Sequence, residues 1–481
     1  MALALHFALG GVYLAILPLW GAVPDEPLHY STIKYDAEFV SQPTITDPRP
    51  WAEPLAVYCF TADPVGAGGH GPLYYWSSVP LFWLTRSLTV EQQLYVLRAW
   101  TLLLSALMIP LGWLVLRRLF PADPELVAAG TLLIAVWPHR LLMSAVIYND
   151  IACATATFYY LWLLLRAAGD EGRPHHWFWA GAALGLAFLA KRVALVTFPG
   201  SLVLALLQAR RRGDGRRVVL THLALWALGF AVVGGWWLLR DYQLYGALFP
   251  TEPGFEARHA SWLEQWYALP RATFWWKIRY ILRGLWLSLW SQVGWVPLDV
   301  AGWRPVALTL YSLFGLGTLL TVLGYLGGLK SRWGGLSAET RDALTGAVVM
   351  ALGMAYGALH WVMQYSFHNN EETGKHAQAI LVCLVALAAA ACRWLFGRRA
   401  GGAMRLAVMV MLVFNLAAIV RLQTFLIPTY RPRTPALAHE RVRDLPSGAA
   451  PGIWHRYRVP GVTQRGGLVD MPTSSADAWH G

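Results

Sequence analysis

Two adjacent carboxylates, Asp25 and Glu26, are the residues of this sequence best suited to chemistry, and they closely follow its first long apolar run. A proline stands on each side of the pair, and His29 comes three residues after Glu26. Placing carboxylates at a membrane boundary costs free energy, which favours a functional role. Such a carboxylate can accept a proton from a hydroxyl group or bind a divalent metal ion. The alternative is an acid pair in an ordinary solvated loop.

Asn149 and Asp150 form a second polar pair, at a turn between two apolar runs. The topology argued below places this turn on the same membrane face as Asp25. An Asn or Asp at such a position also commonly caps the next helix by accepting hydrogen bonds from its first backbone N–H groups. The pair is therefore either part of the same site or a simple helix cap.

Basic residues follow several apolar runs on that face. Cations at headgroup level suit a phosphate or diphosphate group. The alternative is that these side chains snorkel to lipid headgroups, which suffices for Arg240 taken alone. The predicted phosphate-binding residues are Lys191, Arg192, Arg240, Lys375 and His376.

The composition is that of a membrane protein. Of 481 residues, 56% are hydrophobic and only 14% are charged, against about 25% charged residues in soluble domains. An apolar run of about twenty residues crosses the hydrocarbon layer as a helix. We expect an all-α bundle of about eleven transmembrane helices, at residues 3–22, 94–116, 125–143, 150–168, 177–191, 193–209, 218–239, 305–328, 343–364, 377–396 and 404–423.

Arg and Lys in the short loops predict the orientation, because cytoplasmic loops carry an excess of both. Alternate loops of this chain are strongly basic, at residues 117–118, 166–173, 210–217, 330–341 and 393–405. We therefore expect the protein to lie in the inner or plasma membrane, with these loops and the N-terminus in the cytoplasm. Asp25 and Asp150 then lie on the external, periplasmic face. The same topology explains the formal net charge of +12 without a nucleic-acid partner.

Three external segments are long, at residues 24–93, 240–304 and 425–481. The first two contain aromatic stretches that favour helices lying at the membrane interface. The third is too small for an independent domain, and we expect it to be partly disordered. The chain is thus one transmembrane unit over residues 1–424, followed by a short external tail over residues 425–481. The first apolar run lacks the basic start and the clean cleavage site of a signal peptide, so we interpret it as a helix.

The sequence resembles the GT-C-type glycosyltransferases, which are multi-span enzymes that use polyprenyl-phosphate-linked sugars. Within that group it is similar to the protein mannosyltransferases and the lipid A aminoarabinose transferases. The resemblance covers about residues 1–425 and rests on motifs that occur in the family's order. They are Asp25-Glu26-Pro27-Leu28-His29-Tyr30, His70-Gly71-Pro72-Leu73-Tyr74-Tyr75, Asn149-Asp150, Gly185 to Lys191, Gly235-Trp236-Trp237 with Arg240 and Tyr245-Gly246, Trp290-Ser291 with Gly294-Trp295, and Gly374-Lys375-His376.

Two departures from the family pattern stand out. Relatives usually carry Gln-Gly-Arg-Tyr at the last motif, where this chain has Thr373-Gly374-Lys375-His376. Lys does not offer the bidentate geometry with which Arg binds phosphate. Many relatives also carry a folded external C-terminal domain, and the tail of this chain is too short for one.

The resemblance implies a GT-C-like fold with interfacial helices in the first external loop. It also implies transfer of a hexose or pentose from a polyprenyl-phosphate donor to a hydroxyl of an acceptor glycan, lipid or protein, with inversion at the anomeric carbon. Asp25 would be the catalytic base, and Glu26 or Asp150 would position it or an ion. No cofactor is certain, and a divalent metal ion at Asp25 and Glu26 stays open. The candidates for the acceptor and sugar site are His29, His70, Tyr74, Asn149, Asp150 and Glu372.

Two other functions fit the same sequence. A transporter or flippase of lipid-linked sugars would need broken helices and ionisable residues within its spans, and mid-span ionisable residues are few here. A non-catalytic membrane subunit with this fold is the other alternative, since fold alone does not fix function. The altered Gly374-Lys375-His376 motif keeps that alternative open.

Overall fold

The structure, a computed structural model, describes residues 1–17, 26–44, 70–169, 172–250, 268–290, 292–293, 296–297, 304–330, 336–365, 373–427, 441–444, 464–465 and 468–469. The predictions made for Asp25 and Glu372 lie outside these ranges. The described α-helices are α1 (Ala2–Ile16), α2 (Glu26–Phe39), α3 (Leu73–Leu84), α4 (Val90–Ala106), α5 (Met108–Leu119), α6 (Pro124–Ala135), α7 (Pro138–Ser144), α8 (Asn149–Ala168), α9 (Pro174–Ala190), α10 (Phe198–Arg212), α11 (Arg216–Phe230), α12 (Trp236–Tyr245), α13 (Arg271–Trp290), α14 (Arg304–Lys330), α15 (Ala338–Tyr365), α16 (Leu381–Phe396) and α17 (Ala400–Arg421).

Short segments complete the described chain. A 3-10 segment, Thr373–Ile380, leads into α16, and another, Arg192–Thr197, joins α9 to α10. Two small antiparallel ladders pair Gln292–Val293 with Val296–Pro297 and Gln464–Arg465 with Leu468–Val469. The fold is therefore an all-α bundle, as the apolar runs predict.

Long apolar helices cross the bundle. Within the described residues, seven helical stretches are long and apolar enough to span a membrane, or eight if the bent pair of α6 and α7 forms one span. The stretch His376–Thr424 contains both α16 and α17, and so covers two predicted spans. The helices α1 and α9 are shorter, at 15 and 17 residues, and they coincide with two further predicted spans.

Two helices, α2 and α3, lie before α4 in the described part of the first external loop. The predicted interfacial helix near Tyr74 is α3, whereas α2 lies in a stretch for which the sequence predicted no particular element. Trp83 of α3 donates a hydrogen bond to the carbonyl of Ala37 at 3.0 Å, and Tyr30 donates to the side-chain oxygen of Gln93 at 2.6 Å. These bonds fix α2 against α3 and α4 and so position its first turn, which begins at Glu26.

Glycines let α9 approach α11 closely. A Cβ on Gly181 would lie 1.8 Å from the carbonyl oxygen of Trp226, and one on Gly229 would lie 2.0 Å from that of Phe178. Small residues at helix crossings permit this backbone contact in membrane bundles. On its other side α9 packs along α8, which brings the end of α9 beside the start of α8.

A buried arginine stabilises the bend between α6 and α7 through hydrogen bonds. Arg140 donates to the carbonyls of Ile134 and Ala135 at 2.8 and 3.1 Å, which a straight helix would satisfy internally. It also donates to Ser105 and contacts Nδ1 of His6 at 3.0 Å. Because that nitrogen accepts from Arg140, the other ring nitrogen of His6 carries the proton and donates to a backbone carbonyl of α4. One guanidinium thus joins α1, α4 and the bend.

Part of the C-terminal tail is ordered by pairing with the turn between α3 and α4. The N–H of Val442 donates to the carbonyl of Leu88 at 3.0 Å, and that of Arg443 donates to the carbonyl of Arg86 at 2.9 Å. Val442 is also buried in the core. This part of the tail therefore lies at the same end of the bundle as the first external loop.

Candidate functional site

The first turn of α2 is held by a fully buried ion pair between Glu26 and Arg98. Arg98 donates from Nε to Oε1 at 2.8 Å and from Nη2 to Oε2 at 2.7 Å, and neither side chain is exposed. The backbone N–H of Ile147 also donates to Oε1 at 3.1 Å, and Arg98 donates to the last carbonyl of α1, at Leu17. Bidentate bonds of this kind fix both position and orientation.

Both Glu26 oxygens are therefore occupied, which suits a positioning role better than proton abstraction or metal binding. The metal prediction then depends on Asp25, which lies outside the described residues. Within the described ranges no group of three or more His, Cys, Asp or Glu side chains is arranged to hold a metal ion. Metal dependence of this site stays a prediction.

Next to this pair lies a layer of aromatic side chains. Nδ1 of His29 is 2.8 Å from the hydroxyl of Tyr75. The ring of His29 meets the ring of Tyr148 edge to face, with 4.8 Å between centroids. The centroid of the His70 ring lies 6.1 Å from that of His29. The predicted candidates His29 and His70 are thus brought together with Tyr74 and Tyr75 of α3.

A directed chain of hydrogen bonds fixes Tyr74. Its hydroxyl accepts from the backbone N–H of Tyr148 at 3.1 Å and lies 2.7 Å from the hydroxyl of Thr101. Thr101 in turn donates to the carbonyl of Leu97. The hydroxyl proton of Tyr74 is therefore directed at Thr101, and the bond from Tyr148 ties Tyr74 to the residue before Asn149. The sugar or acceptor role of Tyr74 stays a prediction.

Asp150 is the centre of a three-residue ion cluster. Nζ of Lys191 lies 2.6 Å from its Oδ2, and Nδ1 of His376 lies 3.0 Å from its Oδ1. The carboxylate is 3% exposed, and the Lys191 and His376 side chains are 12% and 17% exposed. The residue that caps α8 is Tyr148, without a side-chain bond, so the helix-cap interpretation of Asp150 was wrong.

Three separate elements supply this cluster: the first turn of α8, the end of α9 and the 3-10 segment before α16. The structure thus brings together Asp150, Lys191 and His376 from three motifs that are far apart in sequence. Lys375 belongs to the same 3-10 segment, and its side chain is outside the described atoms. Asn149 is buried, and within the described structure neither atom of its amide has a hydrogen-bond partner.

Tyr148 joins the cluster to the helix α2. Lys191 lies over its ring, with Nζ 5.6 Å from the centroid, and His29 contacts the same ring from α2. Neither Tyr148 nor Arg98 was predicted from the sequence. A lone arginine within the apolar run 94–116 was the only signal for Arg98, since an unpaired cation in lipid is costly.

A second cluster contains the other two predicted phosphate ligands. Asp241 accepts from Arg192 at 2.6 Å and from Arg240 at 3.2 Å, and it is 1% exposed. Arg192 also donates to the carbonyl of Pro250, and Arg240 lies over the ring of Trp237 at 4.3 Å. The two cations and one carboxylate leave a net charge of +1. About a fifth of each arginine side chain is exposed, at 23% and 20%.

Comparisons with known proteins agree with these motifs. Residues 69–237 match the model of the family described as dolichyl-phosphate-mannose-protein mannosyltransferase. That segment contains His70, Tyr74, Asp150, Lys191 and Arg192. No curated protein sequence matches the chain significantly.

Several solved structures are similar at low identity. ArnT from Cupriavidus metallidurans, bound to undecaprenyl phosphate, is 18% identical with a TM-score of 0.47, over 94% of this chain and 74% of that one. The oligosaccharyltransferase of Archaeoglobus fulgidus, in complex with zinc and sulfate, is 16% identical with a TM-score of 0.46, over 92% of this chain and 53% of that one. The same enzyme, AglB, with an inhibitory peptide and a dolichol-phosphate, is 14% identical with a TM-score of 0.46, over 92% and 56%.

The chain spans only about half the length of the archaeal enzyme. The family match covers α3 of the first external loop and two members of the Asp150 cluster, Asp150 and Lys191, but not α2 or His376. Residues 69–237 are similar to the dolichyl-phosphate-mannose-protein mannosyltransferases, in line with the resemblance that the sequence motifs indicate.

Proposed function

We propose that this protein is a membrane glycosyltransferase that transfers a sugar from a polyprenyl-phosphate-linked donor to a hydroxyl group of an acceptor. The Asp150 cluster is the observation that carries the proposal. The carboxylate there bonds Lys191, at the end of α9, and His376, in the 3-10 segment before α16, and both of these side chains are partly exposed. The description of the matched family names a donor of this class, dolichyl-phosphate mannose, and protein as the acceptor.

The donor phosphate would bind at these cations. Lys191 and His376 present N–H groups beside Asp150, and Arg192 and Arg240 add a net positive charge at the neighbouring cluster. Phosphate oxygens accept strong charge-assisted hydrogen bonds from such groups. When the bond between the sugar and the phosphate breaks, negative charge grows on the leaving phosphate, and fixed cations lower the free energy of that state.

Asp25 would act as the base. In the proposed reaction it takes the proton of the acceptor hydroxyl, the acceptor oxygen bonds to the anomeric carbon, and the bonding pair leaves with the lipid phosphate. Attack opposite the leaving group inverts the anomeric configuration. Glu26 next to it is bound on both oxygens by Arg98 and Ile147, so it would position the start of α2 and leave Asp25 as the reactive carboxylate.

The orientation is part of the proposal. The helix α8 begins at the site with Asn149 and ends near Arg166, about 30 Å away. The helix α9 begins after Arg173 and returns to the site at Lys191. The basic loop and the site are therefore at opposite ends of the same two helices. Since basic loops face the cytoplasm, the site would face the periplasm and the N-terminus the cytoplasm.

The test is transfer by an Asp25→Asn variant in membranes, followed as conversion of sugar-bearing polyprenyl phosphate to bare polyprenyl phosphate. We expect the variant to fold normally and to lose conversion by about a hundredfold or more, the usual contribution of a general base. Asp214→Asn, in a basic loop at the other end of the bundle, is the matched control and should convert normally. Full conversion by Asp25→Asn would rule out Asp25 as the base.

A further inference from the structure

Three buried polar side chains that the proposed reaction does not use lie in the chain segments that meet at Arg240. Asp36 is 2% exposed, Gln42 is 7% exposed and Trp237 is 1% exposed. Within the described part of the chain, none of the polar atoms of these three side chains has a hydrogen-bond partner. Leaving buried polar atoms unpaired is unfavourable, and native proteins contain few of them.

These side chains are linked to one guanidinium. Arg240 lies over the Trp237 ring at 4.3 Å, and its Nη2 reaches the backbone carbonyls of Gln42 and Pro43 at 3.5 and 3.4 Å. Its charge also acts on the Asp36 carboxyl. The end of α2, the loop after it and the start of α12 therefore meet at Arg240.

The chemistry of this set is mixed. A carboxyl accepts hydrogen bonds, an amide both donates and accepts, and an indole N–H donates. A phosphate needs donors only. A sugar hydroxyl is both a donor and an acceptor, so the neighbouring hydroxyls of a sugar need both hydrogen-bond donors and acceptors around them. These three side chains supply both, together with the aromatic ring of Trp237.

Backbone strain marks the same place. Val40, between Asp36 and Gln42, has a φ of 51°, in the left-handed region that β-branched residues rarely adopt. Strain of this kind is unfavourable and concentrates at active sites, ligand clamps and switch regions. Val40 is also 78% exposed, so its own side chain would not resist a movement of the chain at this point.

We propose that Asp36, Gln42 and Trp237, gathered around Arg240, form a subsite that binds the hydroxyl groups of the donor's sugar. The inference rests on the proposed function, from which it takes the lipid-linked donor. Arg240 belongs to the predicted phosphate ligands, and the sugar of such a donor is attached directly to the phosphate. When the sugar enters, residues 40–44 move, and its hydroxyls become partners of the three buried side chains.

The experiment measures the lipids that co-purify with the full-length protein from its native membranes. Mass spectrometry gives the ratio of sugar-bearing to bare polyprenyl phosphate for the wild type, Asp36→Leu, Asp36→Asn and Gln42→Met. Glu38→Gln, on the same helix, is the matched control. The readout needs no prior choice of sugar, and the Tm of each variant is recorded alongside.

We expect Asp36→Leu and Gln42→Met to keep the bare lipid and to lower the ratio about tenfold or more, because each removes hydrogen bonds to the sugar. The Tm of Asp36→Leu should equal or exceed that of the wild type, since an unpaired buried carboxyl is removed. Asp36→Asn should show a smaller fall in the ratio, and Glu38→Gln none.

Other outcomes overturn the subsite. An unchanged ratio in Asp36→Leu and Gln42→Met would mean that these side chains do not touch the sugar. Equal loss of both lipids in Asp36→Leu and Asp36→Asn, at a normal Tm, would assign the effect to the phosphate instead. A normal ratio with a raised KM for the acceptor would assign the residues to the acceptor. A wild type that holds no polyprenyl-phosphate lipid contradicts the proposed function itself.

Discussion

Arg98 donates two hydrogen bonds, of 2.8 and 2.7 Å, to the two carboxylate oxygens of Glu26, and both side chains are completely buried between α2 and α4. Burying two charges costs free energy that their attraction only partly offsets. The pair is therefore better explained by what it positions than by what it adds to stability. It fixes the residue that directly follows the proposed base, Asp25.

Removing one partner of this pair should lower the stability of the protein far more than removing both. Arg98→Met leaves a buried carboxylate without its cation, and we expect it to cost about 3–5 kcal/mol of stability and to abolish transfer. The double variant Arg98→Met with Glu26→Leu should recover most of the Tm and still transfer poorly. Thermal unfolding in detergent and donor conversion in membranes measure the two effects. Normal transfer by the double variant would contradict the positioning role.

The Asp150 cluster predicts where the donor phosphate binds. Lys191→Met should lower the affinity for undecaprenyl phosphate about tenfold or more, because one charge-assisted hydrogen bond is lost. Lys330→Met, at the far end of α14, removes the same charge away from the site and is the matched control. Binding is measured by native mass spectrometry across a lipid titration. Equal affinities for the two variants would exclude Lys191 as a phosphate ligand.

Gly71 should not tolerate a side chain. A Cβ at this position would lie 2.1 Å from the backbone oxygen of Leu189 and 2.5 Å from its carbonyl carbon. Gly71→Ala therefore forces the backbone beside His70 away from the end of α9, and we expect a lower Tm and weaker transfer. Gly402→Ala, where nothing lies within 4 Å, should instead raise stability by up to about 1 kcal/mol. A Gly71→Ala protein with the wild-type Tm would refute this packing.

The Asp36 carboxyl should make stability depend on pH. Burial raises the pKa of Asp36 to about 8 from a usual value of 3.8, although the charge of Arg240 acts in the opposite direction. Between these values the folded state holds a proton that the unfolded state has lost. Stability should therefore fall as pH rises from about 4 to about 8, by up to about 1.4 kcal/mol per pH unit, and then level off.

Asp36→Asn isolates this effect, because its amide does not titrate. The difference in Tm between variant and wild type should grow in favour of the variant from pH 5 to pH 8, while contributions of other groups cancel. The measurement is a pair of thermal unfolding series in the same detergent. A difference that stays constant over this range would show that the carboxyl titrates normally.

The sequence predicted the spanning helices because the constraint on them is local. A chain that crosses lipid must bury its backbone polar groups within a helix and present apolar side chains over about twenty residues. The described part of each apolar run is therefore helical, although the run 94–116 is divided between α4 and α5 and the run 125–143 between α6 and α7. The first half of the first external loop has no such constraint, and α2, with its polar sequence around Lys34 and Glu38, gave no apolar signal.

The site was predicted in part, for a similar reason. Sidedness follows from counting basic residues, so Asp150, Lys191 and His376 could be assigned to one face. Their ion pairing could not be predicted from the sequence, because Asp150 and His376 are 226 positions apart. Sequence also could not distinguish a capping Asp150 from an ion-paired one. Arg98 stayed unassigned because its partner, Glu26, lies 72 positions away.

The central claim is that this chain binds a polyprenyl-phosphate-linked sugar and transfers the sugar. The most direct test is mass spectrometry of the lipids that co-purify with the full-length Asp25→Asn variant, in which the donor should not be consumed. We predict a polyprenyl phosphate that carries a single hexose or pentose, enriched over the bulk membrane lipids. A variant enriched in no polyprenyl-phosphate lipid, after purification in a mild detergent with its native lipids, would contradict the account.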